Sequence, residues 1–89
     1  SVLTKPFRLE GSRLQINVLG ENIKVDVLDE NGKIIPGLTS RSGKIDSLRW
    51  EPKWTNGHGL SQLIGENVRL RFYLQNAKLF AFQFLNSKR

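Results

Sequence analysis

The sequence predicts an all-β protein: an antiparallel two-sheet β-sandwich, jelly-roll-like, of six to eight short strands. Three observations predict it. Apolar and polar residues alternate with a period of two along most of the 89 residues, the rhythm of strands with one covered face. Turn residues interrupt the rhythm at short spacing, with no internal repeat and no low-complexity stretch. Only Leu60-Ser61-Gln62-Leu63-Ile64 could turn as a helix, and for a single turn. Alternation, rather than continuous apolar runs, marks antiparallel sheets, and two of them stacked face to face make a sandwich. A barrel of similar strands, such as an oligonucleotide-binding fold, is the competing arrangement.

The first alternating segment, residues 4–9, carries Pro6, which lacks a donor and belongs at a sheet edge or strand end. Leu14, Ile16 and Val18 share a face in the second segment, and Gly20-Glu21-Asn22 breaks it. Ile23, Val25 and Val27 face inward in the third, which ends at Asp29-Glu30-Asn31-Gly32. Asn-Gly accepts positive φ at little cost, so this is the strongest turn signal. Lys33-Ile34-Ile35 is a short return strand closed by Pro36-Gly37, and the polar residues 38–47 are the longest candidate loop. Leu48, Trp50, Pro52 and Trp54 lie on one side of the next strand, ahead of a flexible Asn56-Gly57-His58-Gly59 loop. Val68, Leu70, Phe72 and Leu74 then oppose Arg69, Arg71, Tyr73 and Gln75. After Gln75-Asn76-Ala77 the chain returns with Phe80, Phe82 and Phe84 on one face, which reads as a hairpin with three core phenylalanines.

Eighty-nine residues form one domain, near the lower size at which a hydrophobic core suffices. The chain has no Cys, so neither disulfides nor thiolate metal sites support it. No run approaches the roughly 20 apolar residues of a membrane span. Fourteen Lys plus Arg against eight Asp plus Glu give +6, which favours polyanions at long range without specifying one. A start at Ser1 and the absence of Met suit a piece cut from a longer protein or a processed product.

Two groups of residues are candidate binding sites. Trp50 and Trp54, four apart on a strand, would share a face with stems about 13 Å apart, and exposed indoles there could stack on pyranose rings. Packing under the facing sheet is the alternative for both. Asn56, His58 and Gln62 flank the adjoining loop and could hydrogen-bond hydroxyls. Arg49, Lys53, Arg69 and Arg71 fall on polar strand sides and would form a basic stripe ending at Tyr73, an arrangement suited to single-stranded nucleic acid if aromatics interleave. Catalysis has no constellation behind it. His58 is the only histidine, and Ser61 lacks a nucleophile elbow. The acids are scattered over turns (Glu21, Asp29, Glu30, Asp46, Glu66) and outward strand positions (Asp26, Glu51), a pattern of solvated surface rather than of paired carboxylates. Asp29, Glu30 and Asn31 lack the further ligands of a calcium loop. The expectation is a non-enzyme with no metal and no cofactor.

Several segments in order carry a family resemblance: Leu3-Thr4-Lys5-Pro6-Phe7, residues 25–33, Ile35-Pro36-Gly37, the Trp54 segment, residues 60–65 leading into 68–72, and residues 77–84. Together they resemble the small β-sandwich module at the C-terminus of bacterial sialidase-like and other five-bladed-propeller glycoside hydrolases. The resemblance covers nearly the whole chain, and its motifs are structural. It implies that residues 1–89 are a C-terminal fragment of a secreted or periplasmic parent. It also implies a non-catalytic accessory role: packing on an adjacent catalytic propeller and contacting saccharide. The rival expectation is a nucleic-acid-binding barrel using the basic strand face.

Overall fold

Two breaks in the alternation, Gly20-Glu21-Asn22 and Gln75-Asn76-Ala77, decide the architecture. The computed structural model describes residues 1–85, with the backbone alone at Ser47 and Leu48, and it carries a strand through each break. The strands are β1 (Val2–Leu3), β2 (Phe7–Arg8), β3 (Arg13–Asp29), β4 (Ile34–Ser42), β5 (Ile45–Trp50) and β6 (Asn67–Leu85). Among the described residues a single 3-10 turn, Ser61–Leu63, is the helical element. No helix among the described residues is long and apolar enough to cross a membrane.

β3 and β6 pair antiparallel from Arg13↔Leu85 to Asp29↔Val68. On the far side of β3, β4 pairs with its second half and β5 with its first. On the far side of β6, β1 pairs at Phe72 and Arg71, and β2 at Val68 and Asn67. All six strands therefore belong to one antiparallel sheet. The expected pair of separate hydrogen-bonded sheets is not what the described strands form.

That sheet is doubled over. Nineteen extended residues span roughly 60 Å, yet the largest extent of the molecule is 32 Å. Phe72 and Phe82, ten positions apart on β6, have ring centroids 5.4 Å apart, and Phe7, beside Val68, lies 5.5 Å from Phe84. The two ends of the long ladder thus face each other across the core. The fold line is the pair of breaks, which lie opposite one another at Gly20↔Ala77 and Asn22↔Gln75. There the inward set changes parity on both strands, from Val18 to Ile23 and from Leu74 to Leu79. Gly20 has φ 154°, and a Cβ on it would overlap the Ala77 backbone. Asn76 has φ 50°, a left-handed conformation that Asn tolerates. The residues that signal turns locally act here as a corner, so residues 67–85 are one strand rather than a hairpin.

Between the doubled halves lie Leu14, Ile16, Val18, Ile23, Val25, Val27, Leu70 and Phe72, closed at the rim by Leu9, Leu38, Leu60 and Val68. The three C-terminal phenylalanines do not share this core equally. Register slips between Asn17↔Ala81 and Val18↔Leu79, which leaves Phe80 as the extra residue of a bulge, 58% exposed. Phe82 is 36% exposed at the rim, and Phe84 is half-buried. The expected loop 38–47 is also different: its residues complete β4 and open β5, an outer pair of strands on which Arg41 and Asp46 are exposed, as is Lys44 between them, while Ser40 is buried. Pro36 is accommodated because the β4 register breaks between Leu28↔Ile34 and Asp26↔Thr39, on an edge strand.

Candidate functional site

Trp50 closes β5 opposite Ile16, whereas Trp54 lies beyond the strand, so the two do not stand on one extended segment. Both are half-buried and pack against the core, with Pro52 buried between them. The expected placement of Leu48 on this face concerns a side chain outside the described residues. The following loop is tied to β4: Thr55 N donates to Thr39 O (3.2 Å) and Asn56 N to Gly37 O (2.9 Å). Gly37 has φ 83°, and a Cβ there would stand 2.7 Å from the Asn56 Cβ, so glycine is what permits this approach. Asn56 Oδ1 accepts from His58 N (2.7 Å) and Gly59 N (3.2 Å), an Asx-type closure that occupies the amide oxygen. His58 and Gln62 are exposed.

The basic residues fall into two separate places. Arg49, on β5 beside the first half of β3, is exposed, as is Lys53 in the segment that follows β5. Arg69 and Arg71 lie on β6 beside its second half, with β3 between the groups. The expected single stripe is thus split by strand order. Arg69 Nε donates to Glu30 O at 3.0 Å, and Arg71 donates to the Tyr73 hydroxyl at 3.1 Å.

Arg71 and Tyr73 instead meet residues that sequence reasoning passed over. Lys24 pairs across the sheet with Tyr73 on one side and Arg41 on the other, and its Nζ stands 4.7 Å over the Tyr73 ring. Asp26, expected as solvated surface, is fully buried between Arg71 and Thr39. Its Oδ1 accepts from the Thr39 hydroxyl at 2.7 Å. Among the described residues its Oδ2 has no hydrogen-bond donor, and Lys24 Nζ lies 3.9 Å away. The signal for this burial was its setting, Val25-Asp26-Val27-Leu28, where apolar residues occupy both faces.

Glu51, also expected to be simply solvated, holds Arg13 in a fork: Nε to Oε1 at 3.1 Å and the terminal nitrogen to Oε2 at 2.5 Å. Gln15 Nε2 donates to the same carboxylate at 3.2 Å, and Gln83 donates to Gln15 at 3.3 Å. The hydrogen bonds from Arg13 and then Gln15 hold the Glu51 carboxyl below its usual range. Asp29 Oδ1 accepts from Asn31 N and Lys33 N, closing the turn. Among the described residues no group of three or more His, Asp or Glu could hold a metal ion.

Comparison with protein families, with characterised proteins and with solved structures finds no match to this chain. Function is therefore read from surfaces.

Proposed function

We propose that the chain is a non-catalytic accessory module of a bacterial glycoside-hydrolase-like protein, exported with its parent and packed against a catalytic propeller. The doubled sheet then takes the part of the two layers of a jelly-roll-like sandwich. The observation that carries the packing role is an uncovered apolar border. β1 and β2 flank β6 only up to Phe72. Among the described residues nothing pairs with the outer edge of β6 beyond that point, where Phe80 and Phe82 are exposed, and Leu19, 45% exposed, faces Lys78 in the adjoining row. A neighbouring domain would cover this border.

Carbohydrate contact by Trp54, Asn56, His58 and Trp50 has less behind it, because both indoles lean on the core and the Asn56 oxygen is occupied. The nucleic-acid barrel has less still, since the cations are divided and Lys24 stands over Tyr73, the one aromatic that would stack a base. The deciding experiment is association of this domain with the separately produced propeller domain of the parent, measured by calorimetry. Binding that Phe80→Asp abolishes supports the reading. Absence of association at about 100 µM, weaker than a Kd of that order, refutes it. Tryptophan fluorescence titrated with a neutral glycan panel tests the saccharide version, which a flat response removes.

A further inference from the structure

The residues around Lys24 make an arrangement that an isolated sheet would avoid. Lys24 on β3 and Arg41 on β4 are direct cross-strand partners, and like charges so placed, with Cβ atoms about 5 Å apart, repel. Lys24 is partly neutralised, since it stands over Tyr73 and within 3.9 Å of the buried Asp26. Arg41 is exposed and makes no hydrogen bond or ion pair among the described residues. Between the two cations opens a shallow cavity of about 210 Å³ whose walls include Asn22, Tyr73 and Gln75. Asn22 Nδ2 donates to Gln75 Oε1 at 3.3 Å, which lays two amides across its end.

We propose that this cavity binds the oxyanion of an acidic saccharide, a carboxylate or sulfate ester, between Lys24 and Arg41. An anion seated there turns the repulsion into two charge-assisted contacts. Asp26, on the same face of β3 with its carboxylate 3.9 Å from Lys24 Nζ, helps hold that ammonium in place, and the spare capacity of the amides suits adjacent hydroxyls. Single-stranded nucleic acid fits less well, because the cation over Tyr73 obstructs base stacking. The saccharide half of the assignment rests on the accessory-module reading above, whereas the anion half rests on the paired cations alone.

The test is backbone amide NMR of the whole chain at about 0.15 M ionic strength, where loose surface attraction is screened. The probes are trigalacturonate, maltotriose, inorganic sulfate and an oligothymidylate. Trigalacturonate should shift residues 22–24, 41–42 and 73–75 saturably, and maltotriose should not. Arg41→Gln should weaken binding at least about tenfold, the loss of one charge-assisted contact. Arg41→Glu should abolish it while raising Tm, since it places an opposite charge against Lys24; loss of binding is thereby separated from loss of fold. No shift with either trigalacturonate or sulfate, or equal affinity in Arg41→Gln, overturns the site. Shifts with sulfate but not with trigalacturonate overturn the saccharide assignment, and a preference for oligothymidylate reassigns the face to nucleic acid. Failure of the propeller association would leave these shifts unchanged, so the two readings fail separately.

Discussion

Asp26 shows how much a single buried carboxylate can organise. It lies in the middle of the sheet with one oxygen served by Thr39 and the other 3.9 Å from Lys24 Nζ. Removing it would leave the Thr39 hydroxyl without its acceptor and Lys24 without its counter-charge. Asp26→Ala is expected to lower unfolding stability by about 2–4 kcal/mol, and Thr39→Val by about 1–2 kcal/mol, both measured by urea titration. The Arg13–Glu51 fork behaves differently because both side chains are more than a third exposed. Its folded carboxyl titrates below the unfolded one. The pair therefore stabilises the fold fully above the unfolded carboxylate range and less as pH falls through the lower folded value. Arg13 stays protonated throughout. Glu51→Gln should remove a small part of the stability lost on acidification below about pH 5, the region where free Glu begins to titrate. A stability–pH curve that this substitution leaves unchanged would show that the fork contributes nothing.

Among the elements, the bend of β3 and β6 is the point of greatest sensitivity. Gly20→Ala would drive a Cβ into the Ala77 backbone at the fold line, and a loss of about 3 kcal/mol or more is expected in thermal or chemical unfolding. The phenylalanines of β6 should separate by depth. Phe72→Ala, at a fully buried site, should cost about 3–5 kcal/mol, and Phe80→Ala, in the bulge, less than about 1 kcal/mol. Equal costs would mean that the bulge register is different. These elements also mark what could be read from residues alone. Leu14, Ile16, Val18, Ile23, Val25, Val27, Val68, Leu70 and Phe72 lie inward as their alternation predicts, because side-chain period is a local property. Gly20-Glu21-Asn22 and Gln75-Asn76-Ala77 are misread as turns because a corner uses the same backbone conformations as a turn. Only their pairing with each other, more than fifty residues apart in the chain, distinguishes the two, and the Phe80 bulge depends on that same pairing. Residues 38–47 look like a loop because an edge strand pairs on one side and can be polar on its free face. At the site, Trp50, Trp54, Asn56 and His58 follow one another closely along the chain, but that both indoles lean on the core is set by packing that local sequence does not carry. Arg41 and Lys24 are twice as far from recognition, being ordinary solvated residues until register sets them opposite each other.

For the molecule as a whole, one sheet bent double supplies two kinds of surface. The Lys24–Arg41 side of the second half is polar and cationic, and the outer edge of β6 past Phe72 is apolar and unpaired. A module that leans on a neighbour with one border and holds an acidic group with another needs both. The two are expected to act independently: Phe80→Asp should leave saccharide-induced NMR shifts intact, and Arg41→Gln should leave propeller affinity within about twofold, as expected for distant sites. The β3–β6 ladder also joins the first third of the chain to its last. Nearly all of its contacts are therefore of long sequence separation, which predicts slow refolding, on a millisecond-to-second scale. During synthesis β3 has to wait, with its apolar side uncovered, until β6 has left the ribosome. Truncation within β6 would leave that side uncovered and give a polypeptide prone to self-association, which makes β6 the element least tolerant of truncation.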